Sequence, residues 1–64
     1  MENNVIKLMR EMGVVLEACE TEAEKFADGN KSAGTRLRKH MQSVKDYAQT
    51  VRKEVQEQKN SVMA

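Results

Sequence analysis

Apolar residues repeat along the first part of the chain in alternating steps of four and three positions. Such steps place the side chains in one seam along a helix, as in coiled coils. Three further apolar residues, Ile6, Leu8 and Val15, widen this surface. The pattern predicts a helix over about residues 3–27. Its predicted seam comprises Val5, Met9, Met12, Leu16, Cys19, Ala23 and Phe26.

The second part of the chain carries the same spacing. No proline occurs anywhere, so nothing in the sequence forbids long helices. A second helix is predicted over about residues 31–60, with residues 61–64 expected to fray. Its predicted seam comprises Leu37, Met41, Val44, Ala48, Val51 and Val55, with Gln58 at the next position.

A short break, Asp28-Gly29-Asn30, separates the two patterns. Gly29 suits the end of a helix, and Asn30 suits the cap that begins the next one. The sequence therefore predicts one all-α domain over residues 1–64, an antiparallel two-helix hairpin. The alternative is one long, nearly continuous coiled coil that only bends at residues 28–30.

The small size of the chain favours self-association. A domain of 64 residues buries only about 60% of its unfolded surface, and this chain has no Trp, one Phe and one Tyr. Short chains without disulfides often find the missing apolar burial by assembling. A homo-oligomer is expected, a dimer first, in which two hairpins pair into a four-helix bundle. The predicted interface comprises Val5, Met9, Met12, Leu16 and Phe26.

The single cysteine, Cys19, excludes an intramolecular disulfide, which fits a reducing compartment. The N-terminus lacks a signal-peptide pattern, and no apolar run approaches the roughly 20 residues that cross a bilayer. We therefore expect a cytoplasmic protein without a membrane partner, with Cys19 as a buried, inert thiol.

Charge is divided unevenly between the two predicted helices. Residues 1–28 hold three basic and seven acidic groups, a net charge of −4, whereas residues 29–64 hold eight basic and three acidic groups, a net charge of +5. Basic residues of the second half recur every seven positions, which aligns them in one row with spacings of about 10 Å. This row, called here the basic stripe, comprises Lys31, Arg38, Lys45, Arg52 and Lys59.

Two interpretations of the basic stripe remain open at this point. It can follow a phosphate backbone, where Lys and Arg give salt-dependent affinity through counterion release. It can also pair with acidic groups of another helix in a structural or adaptor coiled coil that binds an acidic protein. The first helix offers few acids beside its seam, Glu20 and Glu22, which favours an external polyanion.

The small residues Ser32, Gly34 and Thr35 lie at the start of the second helix. A helix N-terminus with two hydroxyls can bind a phosphate. Ordinary helix initiation, with Gly34 allowing close packing, is the explanation that these residues favour when taken alone.

Nothing in the sequence indicates catalysis. No nucleophile is paired with a base, and neither a P-loop nor a dinucleotide fingerprint occurs. The lone His40 and Cys19 do not form a metal-ligand pattern. We expect no enzyme activity, no cofactor, no metal and no small-molecule substrate.

The stretch GNKSAGTRLRK, residues 29–39, resembles the GNKAAGTRxRK segment of the chlamydial histone-like protein family. That family includes lysine-rich, nucleoid-condensing proteins of chlamydiae and short relatives in Bacteroidetes. The later Val51-Arg52-Lys53-Glu54 is similar to the family's aromatic-Arg-Lys element, with Val51 in place of the aromatic residue. The resemblance covers about residues 26–59.

The resemblance implies a nucleoid-associated protein that binds DNA without sequence specificity and compacts chromosomes, with RNA as the other candidate polyanion. The 64 residues contain no Lys/Ala/Pro-rich tail like that of the chlamydial members, so weaker condensation is expected. Pattern and resemblance together give a predicted DNA-binding set of Asn30, Lys31, Ser32, Thr35, Arg36, Arg38, Lys39, Lys45, Arg52 and Lys53.

Overall fold

The computed structural model describes residues 3–63, with side chains through Ser61. Two helices, α1 (Asn4–Ala27) and α2 (Lys31–Met63), pack against each other as an antiparallel hairpin about 53 Å long. The predicted all-α hairpin is confirmed, and the alternative of one nearly continuous coiled coil is wrong. The expected end of α2 at residue 60 is also wrong, because the helix continues to Met63; residue 64 lies outside the described residues.

The turn between the helices is closed by backbone hydrogen bonds. Gly29 adopts a φ of 102°, a left-handed conformation that favours glycine. The Gly29 N–H donates to the Phe26 carbonyl, and the Asn30 N–H donates to the Lys25 carbonyl, both at 3.0 Å. This pair of bonds satisfies the last carbonyls of α1. The Asn30 side chain then accepts a bond from the Ala33 N–H at 3.1 Å, so both predicted capping roles are confirmed.

The opposite end of the hairpin is closed by two amide side chains. Asn3 caps α1 by accepting a hydrogen bond from the Val5 N–H at 2.7 Å. The Asn3 amide also donates to Gln58 at 2.8 Å, and the Gln58 amide donates back at 3.1 Å. Gln58, which follows Val55 in the predicted seam of α2, therefore joins the two helices.

The observed seam keeps the predicted spacing but differs from the predicted one at every second position. Met9, Leu16, Phe26, Met41 and Val55 were expected in the seam and are exposed, as is Ala23. In α1 the buried and half-buried seam residues are Val5, Leu8, Met12, Val15, Cys19 and Glu22. In α2 they are Ala33, Leu37, His40, Val44, Tyr47, Val51, Glu54 and Gln58.

Pairing across the seam explains how Glu22 can occupy it. The Arg36 Nε lies 2.7 Å from the Glu22 Oε2, and the Lys25 Nζ lies 4.0 Å from the Oε1. A buried carboxylate with a hydrogen-bonded cation avoids most of the cost of leaving water. The Glu22–Arg36 ion pair therefore fixes the relative position of the helices near the turn.

The core of a single hairpin is thin. Among the described residues, the buried apolar ones are Cys19 and Ala33, and no large side chain is fully buried. The predicted burial of Cys19 is confirmed. Within residues 3–63, neither helix has an apolar stretch long enough to cross a membrane.

Candidate nucleic-acid interface

The basic stripe lies on the outer surface of α2. All five of its residues are exposed, and in the described part of the chain none is within ion-pair distance of a carboxylate. Because successive members are two helical turns apart, the row extends for about 42 Å along the helix. The glutamates of α1 thus leave the stripe unneutralised within one hairpin.

Four of the other predicted DNA-binding residues serve the hairpin or lie off the stripe. Arg36 is held by Glu22 on the opposite flank of the seam. Asn30 uses its side-chain oxygen to cap α2. Lys39 and Lys53 are exposed, but their positions on the helix lie about 100° around the axis from the stripe, so they form a second, sparser row.

The first turn of α2 contributes to a groove near the turn of the hairpin. Ser32 and Thr35 are both exposed there. Thr35 lines a groove of about 310 Å³, called here the apex groove. The two cations in its lining, Lys31 and Arg38, are the first members of the basic stripe. The full lining is Phe26, Lys31, Gly34, Thr35, Leu37 and Arg38.

Phe26 lies directly on the Gly34 backbone. A Cβ built at Gly34 would come within 2.6 Å of the ring Cδ1 and 2.7 Å of Cε1, closer than real Cβ contacts. Only glycine therefore allows the ring to occupy this place. The spacing of the apolar residues did not indicate this contact, because Phe26 and Gly34 lie on opposite sides of the turn.

Exposed apolar side chains form a face beside the seam. The face, called here the apolar face, consists of Met9 and Leu16 from α1 with Met41 and Val55 from α2. Met41, Ala48 and Val55 recur every seven residues, between the seam and the basic stripe. Each member follows a seam residue (Leu8, Val15, His40 or Glu54) by one position, and in two antiparallel helices these positions lie on the same flank. The Asn3–Gln58 and Phe26–Gly34 contacts set the register, which orders the members along the hairpin as Val55, Met9, Leu16 and Met41.

The residues predicted for an oligomer interface divide into two groups. Met9, Leu16 and Phe26 are exposed and available to a partner. Val5 and Met12 are half-buried between α1 and α2. The apolar face therefore draws half of its large side chains from α2, which the prediction assigned to α1 alone.

The chemistry that this arrangement offers is binding through charge and apolar contact. His40 is half-buried in the seam. Within residues 3–63, no group of three or more His, Cys, Asp or Glu side chains is placed to hold a metal ion. The long cationic row is suited to a polyanion with regularly spaced charges.

Comparison with known families agrees with this geometry. The family model for histone H1-like protein Hc1 matches residues 6–61, which include nearly all of both helices. No curated protein and no solved structure gives a significant match. The resemblance first noticed in residues 29–39 therefore extends over most of the hairpin, and the chain belongs to the histone H1-like Hc1 family.

Proposed function

We propose that the protein binds duplex DNA without sequence specificity, as a nucleoid-associated protein, by placing the basic stripe of α2 against phosphates. The observation that carries the proposal is the row of five exposed cations about 42 Å long. Membership of the histone H1-like family supports the same partner. Phosphate contacts of this kind carry no sequence information, so affinity should vary little with base composition.

The salt dependence of binding tests the stripe directly. Five phosphate contacts per hairpin give a slope of log K against log salt of about −4.5, a loss of about 500-fold between 50 and 200 mM. Fluorescence anisotropy with a labelled duplex measures this slope. The triple variant R38Q/K45Q/R52Q should reduce the slope to about −2, because each contact contributes about 0.9.

A matched pair of lysines controls for net charge. Lys45→Gln removes one exposed charge from the stripe, and Lys7→Gln removes one exposed charge from α1. The first should lower the slope by about 1 and the second should leave it unchanged. Equal effects of the two variants would refute a defined stripe. Salt-insensitive self-association with no DNA retained at about 50 mM salt would instead favour an adaptor that binds an acidic protein.

We propose further that the protein is a homodimer formed through the apolar face. The chain exposes 5248 Å², whereas a compact protein of 7.3 kDa exposes about 4,200 Å². The excess is comparable to the roughly 800 Å² per partner of an ordinary protein interface. Side chains such as Leu16 and Met41, each 43% exposed, would be covered by a second copy.

Sedimentation equilibrium tests the dimer. The parent protein should have twice the 7.3 kDa mass of the chain, and L16E/M41E should be monomeric. Val14→Glu is the control, because Val14 is 68% exposed and lies away from the apolar face. A parent protein that sediments as a monomer, or a V14E variant that dissociates as readily as L16E/M41E, contradicts this interface.

A dimer carries two basic stripes, which allows it to join two duplex segments. Capture of an unlabelled duplex by a bead-bound duplex measures this bridging. The L16E/M41E variant should still bind the bead-bound duplex and should fail to capture the second one. Equal capture by parent and variant would show that compaction does not depend on the dimer.

A further inference from the structure

The aromatic ring of Phe26 is both held in place and accessible. Its Cδ1–Cε1 side lies against the α-carbon of Gly34, yet the residue is 54% exposed. Apolar burial within the hairpin does not account for a ring left so open, since the seam beside it is filled by other residues. A large aromatic surface is therefore presented to solvent at the turn of the hairpin.

Two cations and no carboxylate line the apex groove with this ring. Lys31, Thr35 and Arg38 share the apex groove with Phe26, and its remaining lining, Gly34 and Leu37, is uncharged. Lys31 and Arg38 are exposed members of the basic stripe. The groove is thus continuous with the surface that is proposed to follow phosphates.

An open ring beside two cations matches the chemistry of a nucleotide whose base has left the helical stack. Base–aromatic stacking is tolerant of sequence because every base has a π-face, and Lys and Arg bind the adjoining phosphates. A second copy of this chain is a poorer occupant, because covering the ring would also bring Lys31 and Arg38 out of water without counterions. Charge complementarity therefore selects the nucleotide.

We propose that the apex groove binds an unstacked nucleobase on Phe26, with Lys31 and Arg38 on the flanking phosphates. This inference rests on the proposed DNA binding and deepens it. The protein then prefers DNA in which a base is unpaired, bulged or displaced at a kink, although the stripe itself does not discriminate sequence. The preference is one of DNA shape and does not require base-edge hydrogen bonds.

The test compares a duplex carrying a single-nucleotide bulge with the intact duplex of the same sequence. Titration of the full chain should show the bulged duplex bound about tenfold more tightly. Phe26→Leu should bring the two affinities within about twofold. Phe26→Tyr should retain the preference, and Val14→Ala, which alters a residue away from the groove, should also retain it.

A second measurement uses only the parent protein and so does not depend on whether a variant folds. A 5-iodouracil placed at the bulge should photocrosslink to Phe26, as located by mass spectrometry. Failure to bind the intact duplex would defeat the proposed function itself. Binding without a bulge preference, a preference that survives Phe26→Leu, or a crosslink elsewhere would overturn the apex groove alone. Dissociation of the F26L protein into monomers would show that Phe26 belongs to the dimer interface, and this result would also overturn the proposed role of the apex groove.

Discussion

The two ends of the hairpin are built in different ways. The apex, residues 19–37, contains all three buried residues of the described chain, namely Cys19, Glu22 and Ala33. The open end, residues 3–9 and 51–60, has half-buried side chains and the Asn3–Gln58 amide pair. The comparison indicates that the fold is defined mainly at its turn, while the far ends of the helices are joined by weaker and more exposed contacts.

Small residues explain why the apex is the tighter end. Ala33 has no exposed surface, and Gly34 leaves room for the Phe26 ring. Both lie in the first turn of α2, just after the cap formed by Asn30. Residues 29–39, the segment that resembles the histone-like family, thus supply the turn and part of the apex groove as well as several cations.

Enlarging Ala33 should have the greatest effect on stability. Ala33→Leu adds three carbons where no space is exposed, and overpacking of this kind costs about 3 kcal/mol. Ala48→Leu makes the same change at a half-buried position beside the apolar face and should stay within about 0.5 kcal/mol. Urea unfolding followed by circular dichroism, at one protein concentration, measures both. Equal losses would mean that the apex is no more tightly packed than the rest.

Removing Arg36 should be the next most damaging change. Arg36→Met leaves the Glu22 carboxylate, whose side chain is 12% exposed, without its 2.7 Å partner and should cost about 2 kcal/mol. Arg38, two residues further along the chain, belongs to the basic stripe, and Arg38→Met should change stability by less than about 0.5 kcal/mol. DNA affinity should show the reverse order in anisotropy titrations. If both arginines affect folding alike, the division between an ion pair in the hairpin and a DNA contact is wrong.

The sequence was sufficient to predict the helices, the turn and the spacing of the seam, but it was insufficient to predict which residues occupy the seam. Gly29 and Asn30 have local capping preferences, so their roles could be predicted. Four-then-three steps from Val5 and Leu37 led to Met9 and Met41, whereas three-then-four steps from the same residues lead to Leu8 and His40, which face the partner helix. Polar seam residues are acceptable only when a partner satisfies them, and that depends on the register across the turn.

The same limit applies to the candidate site. The seven-residue recurrence placed the basic stripe without a structure, because spacing on one helix is enough. The roles of Arg36 and Phe26 depend on contacts with the other helix, at Glu22 and Gly34 respectively. No periodicity along one helix contains that information.

Replacing Gly29 should weaken the apex by an intermediate amount. Gly29→Ala places a side chain at a φ of 102° and should cost about 1 to 2 kcal/mol. Gly13→Ala is the matched control, because Gly13 lies inside α1 with no atom within 4 Å of a built Cβ, and it should raise stability by up to about 1 kcal/mol. Thermal melts at a fixed concentration measure both signs. A destabilised G13A protein, or an unaffected G29A protein, would contradict the assignment of backbone strain to the turn alone.

The smallest effect is expected at the open end. Asn3→Ala removes a helix cap and both amide bonds to Gln58, but these groups are exposed, so the loss should be about 0.5 to 1 kcal/mol. Amide hydrogen exchange distinguishes where the loss falls: the Val5 N–H should exchange faster, whereas the Ala33 N–H should be unchanged. Asn30→Ala should do the opposite. Faster exchange at both ends in either variant would mean that the hairpin opens as one unit. The apex and the open end would then differ in packing but not in local stability.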